Sequence, residues 1–276
     1  MISKQFLRHR MALLGAALLL LLTLAAILAP LITPYSPTAT DLSHITMGPT
    51  WQHPLGTDEL GRDVLTRLIY GGRVSLTVGV CSMLLATALG GIVGSIAGSV
   101  GGLVDALLMR IVDFMLSFPA LFVLLILASY RPNSLFNIIF YIGCFSWMGM
   151  ARLVRGQFLS LREQDFIVAA RSVGASRLSI IIRHLLPNTA APIIVAATLG
   201  VAGAMLTEAA LDFLGFGVPP DVPTWGNLMV NAEEYLTAAP ALAIAPGLVI
   251  TLAAVSINFI GDALRDALDP YQRADS

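Results

Sequence analysis

Charge and cysteine are both scarce in this chain of 276 residues. Only 12% of its residues are charged and 57% are hydrophobic, whereas about a quarter of the residues in an average soluble protein are charged. A soluble globular protein is therefore excluded, and a lipid bilayer is the expected environment. The net charge of −1 also excludes a broad nucleic-acid-binding surface. Cys81 and Cys144 both lie in apolar runs, where we expect small buried residues rather than a disulfide.

Lysine is almost absent, and this absence excludes a class of chemistry. Lys4 is the only lysine, so no phosphate-binding loop of the G-x-x-x-x-G-K-[ST] type exists, and ATP hydrolysis by that route is excluded. The four histidines, His9, His44, His53 and His184, are far apart, and no His/Cys cluster has zinc-ligand spacing. We therefore predict that the chain is not an enzyme and binds no cofactor or metal directly. Energy for any transport would come from an ion gradient or from a partner.

Long uncharged runs are what the chain has instead. A bilayer core takes about 20 apolar residues per helix. Six runs meet or approach that length, at residues 11–32, 74–100, 103–130, 134–151, 188–207 and 238–261. The third run carries Asp105, Arg110 and Asp113 in its first half, so we expect its beginning to be interfacial or packed within protein. The predicted fold is an all-α polytopic membrane protein with about six transmembrane helices.

The basic residues indicate an orientation. With the N-terminus in the cytoplasm, twelve of the 16 lysine and arginine residues fall inside and four outside, as the positive-inside rule requires. A cleaved signal peptide is the alternative for the first run, but its apolar stretch is longer than a signal-peptide core. The chain then divides into a cytoplasmic N-terminus (1–10), a first span (11–32), an external loop (33–73), a five-helix core (74–262) and a cytoplasmic tail (263–276). The core includes a cytoplasmic loop at 152–187 and an external loop at 208–237.

The two external loops differ in character. In the first, the stretch DVLTRLIY (63–70) is compatible with a short amphipathic helix. The second has five acidic residues and no basic residue around the turn-rich LGFGVPPDVPTWG. We expect a short re-entrant or surface helix pair there, with acidic side chains that either face cationic partners or are simply solvated.

Glycines recur every four residues in the second run, at Gly90, Gly94, Gly98 and Gly102. A helical face of glycines lets another backbone approach closely, which is how helices associate in lipid. We predict that this face serves helix packing, with a substrate-lining role as the alternative.

Arg110 and Asp113 are spaced i, i+3 in the third run and can pair on one face of a helix. Charges at membrane depth are costly, so they mark either a structural pair near the interface or a polar pathway. We predict the structural pair.

The predicted cytoplasmic loop contains a first short helix. Phe166, Ala169, Ala170 and Val173 occupy positions i, i+3, i+4 and i+7 of one apolar stripe, and Gly174 lies where a left-handed residue would end the helix. A short amphipathic helix beneath a membrane can lie on lipid headgroups or insert into a groove of another protein.

A second helix is predicted to follow. Ser176 is placed to cap its N-terminus and Pro187 to end it. Its apolar face would consist of Leu178, Ile181, Ile182 and Leu185.

The order VAARSVG, nine residues, then HLLPN resembles the loop of ATP-binding-cassette importer permeases, whose pattern is EAA, three residues, Gly, nine residues and I-x-L-P. Val168 stands in place of the acidic residue and His184 in place of the isoleucine. The resemblance implies a coupling helix that fits a cleft of a separate ATPase. The positions it assigns to this coupling are Phe166, Val168, Ala169, Ala170, Arg171, Gly174, Leu186 and Pro187.

Five further stretches make the resemblance narrower. They are HPLGTDELGRDVLTRLIYGGRVSLTVG, GGLVDALLMRIVDFMLSFP, WMGMARLVRGQFLSLREQDF, LDFLGFGVPP and NFIGDALRDALDP. Together they are similar to the peptide/nickel permease family, and most closely to its C-type permease subunit.

This resemblance implies the fold of a type I importer permease in the bacterial plasma (inner) membrane. It also implies a B-type permease partner, two ATPase subunits that use ATP and Mg, and an external solute-binding protein. The implied substrate is a small peptide, with nickel or another metal chelate as the alternative. A gradient-driven secondary transporter and a membrane scaffold are the competing functions that the residues themselves leave open.

Overall fold

The structure is a computed structural model that describes residues 9–130, 134–230, 232, 234–235 and 239–268. All regular secondary structure in these residues is helical. In chain order the helices are α1 (Arg10–Ile27), α2 (Ala29–Ile32), α3 (Val64–Val100), α4 (Gly102–Leu116), α5 (Ala120–Tyr130), α6 (Leu135–Leu161), α7 (Asp165–Ser172), α8 (Arg177–Ile180), α9 (Leu186–Phe213) and α10 (Pro240–Leu268). A π turn (Ile181–Leu185) joins α8 to α9. Residues 1–8 of the predicted N-terminus and 269–276 of the predicted tail lie outside the described residues.

Five helical segments of the described chain are long and apolar enough to cross a membrane: α1, α3, α6, the continuous stretch Arg177–Phe213, and α10. A sixth span is formed if α4 and α5 are counted together, and these two helices are bent by 81°. The prediction of about six spans is confirmed. The third span is broken because Pro119 has no N–H to continue the helix. At the end of α4, the Ser117 hydroxyl donates to the Phe114 carbonyl at 2.6 Å.

Several helices are longer than the uncharged runs from which the spans were predicted. α3 begins at Val64, because the Asp63 carboxylate accepts the Thr66 N–H at 2.7 Å and caps it. The stretch predicted as a separate amphipathic helix is therefore its first two turns. α6 continues to Leu161, α9 to Phe213 and α10 to Leu268, into segments predicted as loops or tail. A charged residue does not end a helix when a neighbouring helix supplies its partner.

The most extensive helix contact is between α3 and α6, and α9 packs against both of them and against α10. α1 lies against α10 and α3. The largest buried cluster joins α3, α5, α6, α9 and the chain after α9, through Val78, Leu124, Ile142, Leu211 and Val218. The four long helices therefore form the centre, and α1 lies at the periphery.

Three of the four predicted glycines lie in the contact between α3 and α6. A Cβ added at Gly90, Gly94 or Gly98 would come within 2.5 Å of an α6 atom. Gly102 lies outside this contact, since a Cβ there would meet nothing within 4 Å. Gly101 and Gly102 have φ values of +71° and +58°, so the chain turns there and α4 leaves the glycine face.

Candidate functional site

The connecting segment (residues 162–185) joins α6 to α9, and its first helix, α7, ends as the sequence predicts. Gly174 has a φ of +83°. Its N–H donates to the Arg171 carbonyl and the Ala175 N–H donates to the Ala170 carbonyl, both at 3.0 Å. This pair of bonds is the Schellman motif, which favours glycine because of the left-handed backbone. The sequence signal at Gly174 is therefore confirmed.

Ile167 attaches α7 to the rest of the molecule. Its side chain is fully buried, in a cluster with Val154 and Phe158 of α6 and with Ile180 and Leu185 of the connecting segment. The stripe predicted from helical spacing omitted Ile167. A single inward residue on an eight-residue helix produces no periodic pattern, and this explains the omission.

The predicted apolar stripe of α7 faces outward. Phe166, Val168 and Ala169 are exposed, Ala170 is half-buried, and Val173 is 85% exposed. In a soluble domain such residues would be covered by the chain itself. Here Ile167 anchors one face of α7 in the protein, and the apolar residues on the other face are exposed in the described structure.

The second helix of the connecting segment begins as predicted and does not end as predicted. The Ser176 hydroxyl accepts the Ser179 N–H at 3.3 Å, which confirms the N-cap. Leu185 is buried and Ile181 half-buried, while Leu178 and Ile182 are exposed.

Pro187 does not stop the helix, because it occupies the first turn of α9 directly after the π turn. A proline in a first turn removes no required hydrogen bond. The prediction that it ends a helix is wrong, and the adjacent Leu186 is exposed in the same turn.

The predicted pair of Arg110 with Asp113 is replaced by pairs between helices. The Asp113 carboxylate accepts from Arg152 of α6 at 2.5 Å, and the Asp105 carboxylate accepts from Arg155 of α6 at 2.7 Å. Arg110 is exposed. Arg155 donates through both Nε and a terminal nitrogen to the two carboxylate oxygens of Asp105, the bidentate geometry that makes such pairs strong. The charges of α4 therefore attach it to α6.

On the opposite side of the molecule, two residues predicted to be in a solvated acidic loop are buried in the last turns of α9. Glu208 accepts from the Ser75 hydroxyl of α3 at 3.1 Å. Asp212 accepts the Val218 N–H at 2.7 Å and also accepts from the Thr224 hydroxyl. In the described part of 208–237, α9 continues to Phe213 and is followed by turns, a short 3₁₀ turn (Asn227–Met229) and helical residues at 232, 234 and 235. The expected re-entrant or surface helix pair stays a prediction, because it falls partly outside the described residues.

Buried arginines join the two predicted external loops. Arg67 donates to the Pro37 carbonyl at 3.2 Å and to the Pro220 carbonyl at 3.1 Å. Arg62 donates to Asp58 at 2.7 Å. We call this cluster, with Glu208 and Asp212, the external clamp.

Tyr235 adds a contact at the edge of the external clamp. Its hydroxyl donates to Glu59 at 2.7 Å. Burial and this bond hold the pKa of Tyr235 above its usual value.

A groove between α6 and α9 is lined by small and hydroxyl-bearing residues together with large apolar side chains such as Leu153, Phe145 and Leu206. Two adjoining cavities of about 410 and 380 Å³ share Ser146 and Thr207. A Cβ added at Gly149 or Gly203 would meet nothing within 4 Å. Small residues on a helix surface fit another helix or a polar pathway better than lipid.

No group of three or more His, Cys, Asp or Glu residues that could hold a metal ion occurs in the described part of the chain. Cys81 and Cys144 are both free. The candidate functional features of the described residues are the connecting segment, the groove and the external clamp.

Comparison with known families gives two matches along this chain. Residues 90–274 match the family described as binding-protein-dependent transport system inner membrane component. Residues 1–49 match the N-terminal transmembrane domain of oligopeptide transport permease C.

Similar proteins cover almost the whole chain. A putative peptide permease protein of Brucella suis is 42% identical over 270 residues, which is 97% of this chain and 89% of the relative. A putative peptide transport system permease protein of Brucella abortus is 41% identical over 268 residues, 97% and 90% of the two chains. The dipeptide transport system permease protein of Alkalihalophilus pseudofirmus is 40% identical over 271 residues, 98% and 89% of the two chains. The chain thus belongs to the binding-protein-dependent transport system inner membrane components, as a multi-pass permease of that family.

Proposed function

We propose that this permease moves small peptides, of the dipeptide or oligopeptide class, into the cytoplasm as one subunit of an ATP-binding-cassette importer. The relatives named above are described as peptide or dipeptide permeases. None of those three names refers to a metal, so peptides take precedence over nickel or another metal chelate. The N- and C-termini lie in the cytoplasm in this proposal, because that orientation places twelve of the 16 basic residues inside.

The proposed complex contains a B-type permease, two ATPase subunits that bind ATP and Mg, and a solute-binding protein outside. The single observation that carries the proposal is the outward apolar face of α7. Phe166, Val168 and Val173 are exposed on a helix that is fixed from behind. An apolar helix face fits a hydrophobic groove on a partner, and the groove proposed here is a cleft of an ATPase subunit.

Force on α7 has a direct route to the membrane helices. Ile167 packs in one cluster with Phe158 at the end of α6 and with Leu185 at the approach to α9. Close-packed side chains transmit displacement because they leave no space to absorb it. When the ATPases close on ATP, α7 would therefore move the ends of α6 and α9 together, as in rigid-body rocking between two access states.

The groove between α6 and α9 is the proposed contribution to the transport pathway. A peptide backbone presents N–H groups that need acceptors, and the hydroxyl oxygens of Ser146 and Thr207 retain acceptor capacity beside the open Gly149 and Gly203. The B-type permease would close the groove from the other side.

Two substitutions at Gly174 test the coupling role. A valine is strained at a φ of +83°, whereas asparagine tolerates the left-handed region. Apart from the residues adjacent in sequence, no described atom lies within 4 Å of a Cβ added at Gly174, so the space around this position admits either side chain. We expect Gly174→Val to abolish ATP-dependent peptide uptake in right-side-out vesicles that contain the whole complex, with ATP inside and the solute-binding protein outside, while membrane insertion remains normal. Gly174→Asn should retain most of the uptake.

The controls separate the three functional classes. Uptake that persists without ATP and follows a proton or sodium gradient would indicate a secondary transporter. Loss of uptake in neither variant, with ATPase subunits still captured by both, would contradict the coupling role of α7. A membrane scaffold would show ATPase capture and no uptake in the wild type.

A further inference from the structure

A basic cavity lies beside α7, on the side of the molecule opposite the external clamp. Its volume is about 550 Å³, and it is bounded by the ends of α3 and α6 and by the connecting segment. Arg162, Arg171 and Arg177 contribute to its wall, together with one acidic residue, Glu163. Three guanidinium groups against one carboxylate leave two positive charges in excess, so the cavity suits an anion.

Two other arginines on the same side, Arg152 and Arg155, have carboxylates from α4 as direct ion-pair partners. No direct ion pair or side-chain hydrogen bond is found for Arg162, Arg171 or Arg177 within the described chain. Arg162 interacts with Asp105 at longer range only. The arginines around the cavity thus keep hydrogen-bond donors that no described side chain uses.

Most of the remaining wall is apolar. Ser99 and Val100 lie in the last turn of α3, a helix that is long and apolar enough to cross a membrane. Ile180, Ile181 and Leu185 form the apolar part of the connecting segment that faces the cavity. A ligand that fits would combine an anionic group with an apolar chain.

We propose that this cavity binds the phosphate-bearing headgroup of an anionic phospholipid from the adjacent leaflet. The phosphate would lie among the three arginines, and the upper part of an acyl chain would lie along Val100 and Ile181. Basic pockets between membrane helices on the cytoplasmic side bind such headgroups. A free inorganic phosphate would share the arginines and would gain nothing from the apolar wall.

Native mass spectrometry of the purified full chain tests the proposal. The chain in detergent is titrated with phosphatidylglycerol, phosphatidylcholine or inorganic phosphate. We expect selective retention of phosphatidylglycerol. The double variant Arg162→Gln, Arg177→Gln should weaken it about 25-fold, at about fivefold per arginine. The matched control Arg183→Gln, Arg265→Gln removes two exposed arginines outside the cavity and should leave binding within about twofold.

A charge-conserving variant keeps the test informative. Arg162→Lys, Arg177→Lys should retain most of the binding, because lysine also binds phosphate, as a point charge. The same loss of affinity in the control variant, equal retention of phosphatidylcholine, or displacement by millimolar inorganic phosphate would each overturn the proposal. So would a glutamine variant that binds phosphatidylglycerol normally and fails to capture the ATPase, because the cavity would then belong to the ATPase contact. The readout is binding to this chain alone, so failure of the peptide-import proposal would not affect it.

Discussion

The external clamp buries charged side chains, whereas the connecting segment exposes apolar side chains. In the clamp, Arg67, Glu208 and Asp212 are buried and bonded to groups of this chain. In the connecting segment, apolar side chains such as Phe166 and Val173 are exposed. The exposed apolar face of α7 supports the proposed contact of this helix with an ATPase subunit.

Breaking the clamp should have the largest effect. Arg67→Met would leave the Pro37 carbonyl without its donor, the Pro220 carbonyl with only the longer bond from Arg62 at 3.5 Å, and Asp58 with one cation fewer. Removal of one partner from a buried charged network typically costs about 3 to 5 kcal/mol. Thermal unfolding of the purified chain in detergent, followed by tryptophan fluorescence, measures this loss. Arg183→Met removes an exposed arginine and should change stability by less than about 0.5 kcal/mol. Equal losses in both variants would contradict the contrast between the two regions.

The connecting segment should respond to Ile167 and to Phe166 in different assays. Ile167→Ala removes a fully buried side chain and should cost about 3 kcal/mol of local stability, since truncation of a core isoleucine leaves a cavity. Hydrogen exchange of the α7 amides should rise accordingly. Phe166→Ala, at an exposed position, should leave that exchange unchanged and weaken capture of the ATPase subunits. If Phe166→Ala raised the exchange and Ile167→Ala alone weakened capture, the docking face would not be the exposed face of α7.

The smallest effect is expected at the half-exposed pair of Asp113 with Arg152. Asp113→Asn should cost less than about 1 kcal/mol, and the cost should shrink in high salt, because exposed ion pairs are weak and screened. Asp105→Asn, at a more buried pair, should cost more. Thermal unfolding at low and high salt measures both variants. A salt-independent loss at Asp113 as large as that of Arg67→Met would show that charge burial does not distinguish the two regions.

Local features were predictable from the sequence. Gly174 and Ser176 delimit the turn between α7 and α8 through bonds to residues at most five positions away, and such bonds leave a signature in the order of residues. The number of spans follows from the lengths of the uncharged runs, because hydrocarbon excludes charge over a fixed thickness. The family resemblance, which rests on the order of residues in several motifs, agreed with the comparisons.

Features that depend on distant partners were not predictable. The sequence predicts a solvated acid at Glu208, because its partner Ser75 lies 133 positions away and leaves no local signal. Arg110 reads as the partner of Asp113 because spacing on one helix ignores Arg152 on another. The buried Ile167 lacks a periodic signal, since α7 is too short to repeat it.

The π turn before α9 sets the rotational phase of that span. Ile180 and Leu185 are both buried, although they lie five positions apart in the chain. At about 100° per residue, a regular α-helix would point them about 140° apart. A turn closed by i→i+5 bonds brings residues five apart onto one side, so the buried side of α8 continues directly into that of α9. The one extra residue that the π turn accommodates therefore determines which side of α9, a helix of 28 residues, faces its neighbours.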